Sequence, residues 1–218
     1  MKSCFGFAAF VLSVVLLASA AGADHAQPSV GPEAALGRLK AGNRRFISTA
    51  ISSGKPTKAR RTATAGGQNP FAIVVGCADS RTAPEIVFDQ NIGDLFVVRT
   101  AGNLVDDYAL GSIEYAVEHL GARLVVVLGH QNCGAVQAAL SGGAAPGHIH
   151  SLVQAIQPAV KASRGQPGDP LVNAIHENDS RVAEKIRQKA QFGELSSQVR
   201  VVEGYYDLHT GKVEWSKQ

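Results

Sequence analysis

The chain has 218 residues, 45% apolar and 18% charged, with a formal net charge of +3, an ordinary composition for a soluble globular protein large enough to bury a full core. A single domain is the simplest organisation, and no internal repeat interrupts it. Nothing in this balance demands a nucleic acid or a membrane as partner of the mature form. The short basic clusters Arg44-Arg45 and Lys58 to Arg61 read as solvated surface, whereas nucleic-acid readers gather more basic residues on one face.

The N-terminus departs from that composition. Lys2 precedes an uncharged apolar run from Phe5 to Ala18, followed by the small residues Ser19 to Ala23. A membrane span needs about 20 apolar residues. This run is shorter and ends in an A-x-A pattern, Ala18-Ser19-Ala20 or Ala21-Gly22-Ala23, so residues 1–23 are expected to be a cleaved signal peptide and residues 24–218 an exported, periplasmic or secreted domain. Cleavage removes only Lys2 among the charged residues, which lowers the formal charge from +3 to +2.

Pro28 to Pro32 reads as a linker, and the apolar spacing from Glu33 to Phe46 predicts an amphipathic helix with a face able to wrap a neighbouring molecule. Ser52 to Asn69, rich in Gly, Ser, Thr and Lys, reads as an irregular segment. Phe71 to Val75, Leu95 to Val98 and Arg123 to Leu128 are β-branched runs without polar alternation, as expected of strands buried on both faces of a parallel sheet. Helical patterns at Tyr108 to Leu120, Ala135 to Leu140, Ser151 to Lys161 and Leu171 to Lys189 alternate with them. Val199 to Tyr205 and Val213 to Trp215 read as a closing hairpin, and Ser141 to His150 as an irregular loop. The fold class is therefore α/β, a mainly parallel central sheet flanked by helices.

With Cys4 lost in the leader, Cys77 and Cys133 are the remaining thiols. In an exported chain a pair of cysteines on count alone suggests a structural disulfide, but their surroundings point elsewhere. Cys77 follows the first buried strand, and His130 and Cys133 follow the third. In a parallel sheet the carboxyl ends of strands share one edge, so these three residues can converge. Two thiolates and one imidazole suit zinc, and three protein ligands with a fourth position open mark a catalytic rather than a structural site. A cytidine-deaminase-like site fits less well, because its H-x-E and P-C-x-x-C elements are absent. Asp79 and Arg81, in Cys77-Ala-Asp-Ser-Arg81, would be a turn aspartate and a surface arginine in an arbitrary loop. Beside a metal ligand, Asp79 can orient a zinc-bound hydroxide while the fork of Arg81 keeps the carboxylate off the metal.

Cys77-Ala-Asp-Ser-Arg81 with Gly129-His-Gln-Asn-Cys-Gly134 resembles the β-class carbonic anhydrases, a likeness running from about Ala35 to Tyr206 through Leu95-Phe-Val-Val-Arg99, Ala101-Gly-Asn-Leu104 and Gly111-Ser-Ile-Glu-Tyr-Ala116. The resemblance implies a Zn2+ ion on Cys77, His130 and Cys133, the Asp79–Arg81 pair serving it, and reversible hydration of CO2 to bicarbonate and a proton. It also implies a substrate pocket with Gln68 as a hydrogen-bond donor to substrate and Phe96 and Tyr115 as aromatic walls, and His119 in proton transfer. By plain reading, Phe96 and Tyr115 are core residues, Gln68 a loop residue and His119 a helix-surface residue. Gln68 aligns the chain with the plant-like, permanently open group rather than members whose aspartate closes onto zinc. The resemblance further implies a homodimer or larger homo-oligomer. A hydrolase of CS2 or COS on the same scaffold, and a noncatalytic zinc or thiol redox protein, are the alternative functions. His148 and His150 read as polar loop residues, and His176 and His209 carry no assignment.

Overall fold

The computed structural model describes residues 30–50, 57–142 and 145–216; the expected signal peptide, residues 1–23, lies outside them. The order is α1 (Pro32–Ile47), α2 (Lys58–Thr64), β1 (Ala72–Cys77), α3 (Pro84–Val87), β2 (Leu95–Thr100), α4 (Asp107–Glu118), β3 (Leu124–His130), α5 (Gly134–Ser141), α6 (Ile149–Ala162), α7 (Pro170–Lys189), β4 (Arg200–Tyr206) and β5 (Val213–Trp215). Short 3-10 turns span Ala101–Asn103 and Gly193–Gln198. The sheet order is β2-β1-β3-β4-β5; the first four strands run parallel and β5 returns antiparallel to β4. The expected α/β fold is the one observed, down to the closing hairpin.

The unbroken apolar strands are explained by two cores. Ile73 and Val75 of β1 with Val125 and Val127 of β3 pack against α4 and the C-terminal half of α7. Their alternates Ala72, Val74, Val126 and Leu128 pack against α1 and Phe88. A strand's side chains alternate faces, so burial on both sides leaves no polar positions. β1 and β3 are buried at every residue.

Two expectations are corrected. The segment from Ser52 to Asn69 contains helix α2: Thr57 caps it by accepting the Arg60 N–H at 3.1 Å, and the Lys-Ala-Arg-Arg run that follows is a good helix former. Arg60 then donates to Ile92 O and pairs with Asp94 at 2.5 Å, while Arg45 pairs with the buried Asp89 at 2.6 Å. These two basic residues are thus structural anchors as well as surface charge. The apolar face of α1 is also not offered to a neighbour. Ala35, Leu36 and Leu39 are buried on this chain's own sheet, because α1 lies over strands that would otherwise expose one whole face.

Candidate metal centre and active site

β1 and β3 are adjacent, and both end at the same edge of the sheet. Cys77 is the last residue of β1 and His130 the last of β3. The chain then turns through Asn132, which is left-handed at φ 55°, and places Cys133 at the N-cap of α5. The three side chains bring ligand atoms within 4.8 Å of one another, with exposures of 5% for Cys77, 0% for His130 and 1% for Cys133. Both cysteines are free thiols.

The donors have the chemistry a zinc ion needs. His130 Nδ1 lies 2.9 Å from Gln131 O; donation there puts the ring proton on Nδ1 and leaves a lone pair on Nε2. Nε2 is buried with no hydrogen-bond partner, an orphan that costs free energy unless something accepts its lone pair. It faces two sulfurs, and Cys77 Sγ already receives the Gly102 N–H at 3.3 Å. The Cys133 thiol donates to Cys77, which pulls the Cys77 pKa down and pushes that of Cys133 well up. A cation replacing that shared proton would satisfy both sulfurs and the orphaned nitrogen together.

Asp79 and Arg81 sit on the loop after β1. Arg81 forks onto the carboxylate, Nε to Oδ1 at 2.9 Å and Nη2 to Oδ2 at 2.7 Å, and its backbone N–H also donates to Oδ1 at 2.9 Å. The Arg81 hydrogen bonds hold the Asp79 carboxyl well below the usual carboxylate range. Asp79 Oδ2 nevertheless stands 4.0 Å from His130 Nε2, beside the position a metal would take. The loop is tied down from behind. Arg99 donates from Nε to Cys77 O at 2.8 Å and from Nη2 to Asp79 O at 2.5 Å, and Thr82 Oγ1 donates to Asp79 O at 3.0 Å.

The other expected site residues are not brought to this cluster within one chain. Gln68 is exposed and precedes β1, at the sheet edge opposite Cys77, where it lines a cleft of about 390 Å3 with Arg60, Thr64, Asn69 and Gly93. Phe96 is partly buried in β2, in register with Ile73, roughly 13 Å along the strand from Cys77 at about 3.3 Å per residue. Tyr115, 48% exposed on α4, touches the ring of the exposed His119 with centroids 5.1 Å apart. Phe96 is thus half core residue, and Tyr115 is not one.

Sequence reasoning missed three supports. In the sequence Arg99 is only part of a motif. Asn178 and Asp179 carry a readable signal, two polar residues on the apolar stripe Ala174, Ile175, Val182, Ala183 and Ile186 of α7. Asn178 Nδ2 donates to Gly102 O at 2.9 Å and Asn103 Nδ2 to Asp179 Oδ1 at 3.0 Å; burial pushes the Asp179 carboxyl well above its ordinary range.

Comparison with known proteins places this arrangement. The family model described as carbonic anhydrase matches residues 72–213, a span that contains the three clustered ligands and the Asp79–Arg81 pair. The chain is 48% identical over 141 residues to carbonic anhydrase 2 of Mycobacterium tuberculosis, covering 63% of this chain and 68% of that one. It is 40% identical over 194 residues to a carbonic anhydrase of Mycolicibacterium smegmatis, covering 86% and 94%. Among solved structures, a Coccomyxa β-carbonic anhydrase in complex with acetazolamide superposes with a TM-score of 0.66 at 26% identity over 83% of this chain and 85% of that one. A tetrameric β-carbonic anhydrase of Sordaria macrospora shares the fold with a TM-score of 0.66 at 24% identity, covering 72% and 85%. With the fold, the clustered ligands and these relatives in agreement, the chain belongs to the β-class carbonic anhydrase family and is a carbonic anhydrase.

Proposed function

We infer that the enzyme hydrates CO2 reversibly at a zinc ion held by Cys77, His130 and Cys133, with Asp79, held by Arg81, orienting the nucleophile. One observation carries the reading: a buried histidine nitrogen with no protein partner, within 4.8 Å of two thiol sulfurs. When bound there, zinc lowers the pKa of a water molecule and so supplies a hydroxide nucleophile near neutral pH.

The chain's own residues do the rest. Asp79 Oδ2 accepts a hydrogen bond from the nucleophile, which aims an oxygen lone pair at the carbon of CO2 and keeps one proton fixed during attack. Because the Arg81 fork occupies both carboxylate oxygens, Asp79 stays ionised and would be kept from ligating a metal held by His130. That geometry favours the open, plant-like arrangement over an aspartate-closed one. His130 is held to one tautomer by Gln131 O, and Arg99 keeps Cys77 and Asp79 at a constant separation by gripping both carbonyls. CO2 carries no charge, so its site needs apolar walls with one or two donors.

Gln68, Phe96 and Tyr115 meet that need chemically but stand away from the cluster in their own chain. They serve a site only if a second copy presents them, which makes the enzyme a homodimer or a larger assembly. Support comes from the surface: Tyr108 at 88%, Ile86 at 59% and Tyr115 at 48% exposure are large apolar side chains left without cover. Export of the mature domain rests on the signal-peptide pattern of residues 1–23; among the described residues no helix is long and apolar enough to cross a membrane. N-terminal sequencing of protein recovered outside the cytoplasm tests export. Metal analysis and stopped-flow CO2 hydration on the same sample test the central reading; zinc-loaded protein that leaves CO2 untouched while hydrolysing COS or CS2 would replace it.

A further inference from the structure

The ligand-bearing strand ends are roofed by a turn that the mechanism above does not use. Ala101–Asn103 follows β2 directly, and two consecutive residues in it are left-handed, Gly102 at φ 71° and Asn103 at φ 45°. Glycine takes that region freely, whereas asparagine does so at some cost, so an outside contact must hold it. Helix α7 supplies two. Asn178 Nδ2 donates to Gly102 O at 2.9 Å, and Asn103 Nδ2 donates to Asp179 Oδ1 at 3.0 Å; all three side chains are 2% exposed.

On its other side, the same Gly102 sends its N–H to Cys77 Sγ at 3.3 Å. The turn has little freedom to slide, since a Cβ on Gly102 would stand 2.9 Å from Ile156 Cδ1 and 3.2 Å from Ala135 Cβ. Asp179 also presses on β3: a Cβ on Gly129, the residue before His130, would overlap its carboxylate. Adjacent residues of one helix therefore bear on both ligand strands, through Gly102 on Cys77 and through Gly129 beside His130. Buried polar groups on an apolar stripe are costly unless hydrogen-bonded, and the bonds these make lead to the metal centre and nowhere else among those described.

We propose that Asn178 and Asp179 are positioning residues of the metal centre, locking the Gly102–Asn103 turn so that the Gly102 N–H stays on Cys77 Sγ and limits how much charge that thiolate delivers to the ion. The proposal rests on the zinc reading. A hydrogen bond to a thiolate stabilises the sulfur lone pairs and makes it a weaker donor; partners of metal ligands commonly tune the metal in this way.

The test uses the full chain loaded with cobalt(II), whose sulfur-to-cobalt charge-transfer bands report thiolate donation. Wild-type protein without such bands would overturn the zinc reading and this proposal together. Given the bands, Asn103→Gly keeps a residue at home in the left-handed region while deleting the link to Asp179, and Asp179→Leu removes the acceptor. Both are expected to move the bands to lower energy, because a thiolate that loses a hydrogen bond becomes the stronger donor. Asp179→Asn keeps an acceptor for Asn103 and is expected to stay near wild type. A merely structural role would lower thermal stability without moving the bands, so folded, cobalt-loaded Asn103→Gly with wild-type bands overturns the proposal even where Asp179→Leu fails to fold.

Discussion

Two regions of this molecule are expected to serve one active site, and the fold treats them differently. The ligand cluster of Cys77, His130 and Cys133 is buried and assembled by a single chain, at the shared edge of β1 and β3. The residues expected to line the pocket, Gln68, Phe96 and Tyr115, and the expected proton carrier His119 are spread over a loop, an edge strand and one helix, three of them exposed. A metal ion must be enclosed by donors at fixed separations, which a central pair of parallel strands can guarantee. A pocket for a small neutral gas can be built at a surface and completed by assembly. The difference predicts that metal binding belongs to the chain and turnover to the oligomer.

The largest effects should come from the ligands. Cys77→Ser, His130→Ala and Cys133→Ser are each expected to lose zinc and with it CO2 hydration, by metal analysis and stopped-flow rates; full zinc in any one of them would remove that residue from the centre. Removing the ion chemically should be equally severe. The two sulfurs lie within 4.8 Å, and a disulfide of about 2.05 Å needs only a small approach. Chelation under oxidising conditions is therefore expected to join Cys77 to Cys133, after which zinc restores activity only with a reductant. A Cys77–Cys133 bond found by mass spectrometry in active native enzyme would instead sink the zinc centre.

The dyad should cost less. Asp79→Asn and Arg81→Ala are expected to keep zinc and lose about 10- to 100-fold in rate, as when partners that orient metal ligands are removed. The sign of its pH effect follows from the lowered Asp79 pKa. A depressed folded pKa gives stability that is present above the unfolded value of about 3.9 and lost as pH falls through the folded one. Thermal melts of Asp79→Asn should thus lose part of the wild-type decline below about pH 4, while the hydration profile near neutrality owes nothing to Asp79 titrating. Activity there should rise toward alkaline pH, because two thiolates leave a bound water less acidic than the pKa of about 7 given by three imidazoles. A plateau already reached in mild acid would contradict the ligand set.

A milder effect should separate the two regions directly. Light scattering is expected to give at least a dimer, and Tyr108→Glu, which places a charge at an aromatic side chain 88% exposed, should favour monomers. If the pocket is completed by a second copy, those monomers keep stoichiometric zinc and lose turnover. Fully active monomers would mean that Gln68, Phe96 and Tyr115 serve no site, and that the chain is complete in itself.

What was legible in the sequence divides along the same line. The strands, the ligands and the Asp79–Arg81 pair could be read because each is a local pattern: apolar runs ending in Gly76 and Gly129, and residues two to four positions apart. Helix α2 was hidden because Thr57's capping bond outweighed a loop-like composition. The role of the α1 face was misjudged because periodicity shows that a helix is amphipathic and not which surface covers it. Asn178 and Asp179 were invisible as site residues because their contacts to Gly102 and Asn103 span 76 positions, a distance no motif records.

The smallest effect belongs to His119. It is exposed at the C-terminal end of α4, one turn beyond Tyr115, with the two rings 5.1 Å apart. A histidine there has one ring nitrogen able to take a proton and another able to release one, so it can pass a proton to solvent. Proton export follows the attack on CO2, so His119→Ala should leave kcat/KM unchanged and lower kcat, and only where buffer is scarce. A positioned acid–base group contributes about 10²–10⁴-fold; an exposed one that dissolved buffer can replace should fall at or below the bottom of that range. Added imidazole is expected to restore the wild-type kcat. An equal loss in kcat and kcat/KM, or a loss that no buffer repairs, would show that His119 supports Tyr115 by packing and moves no proton.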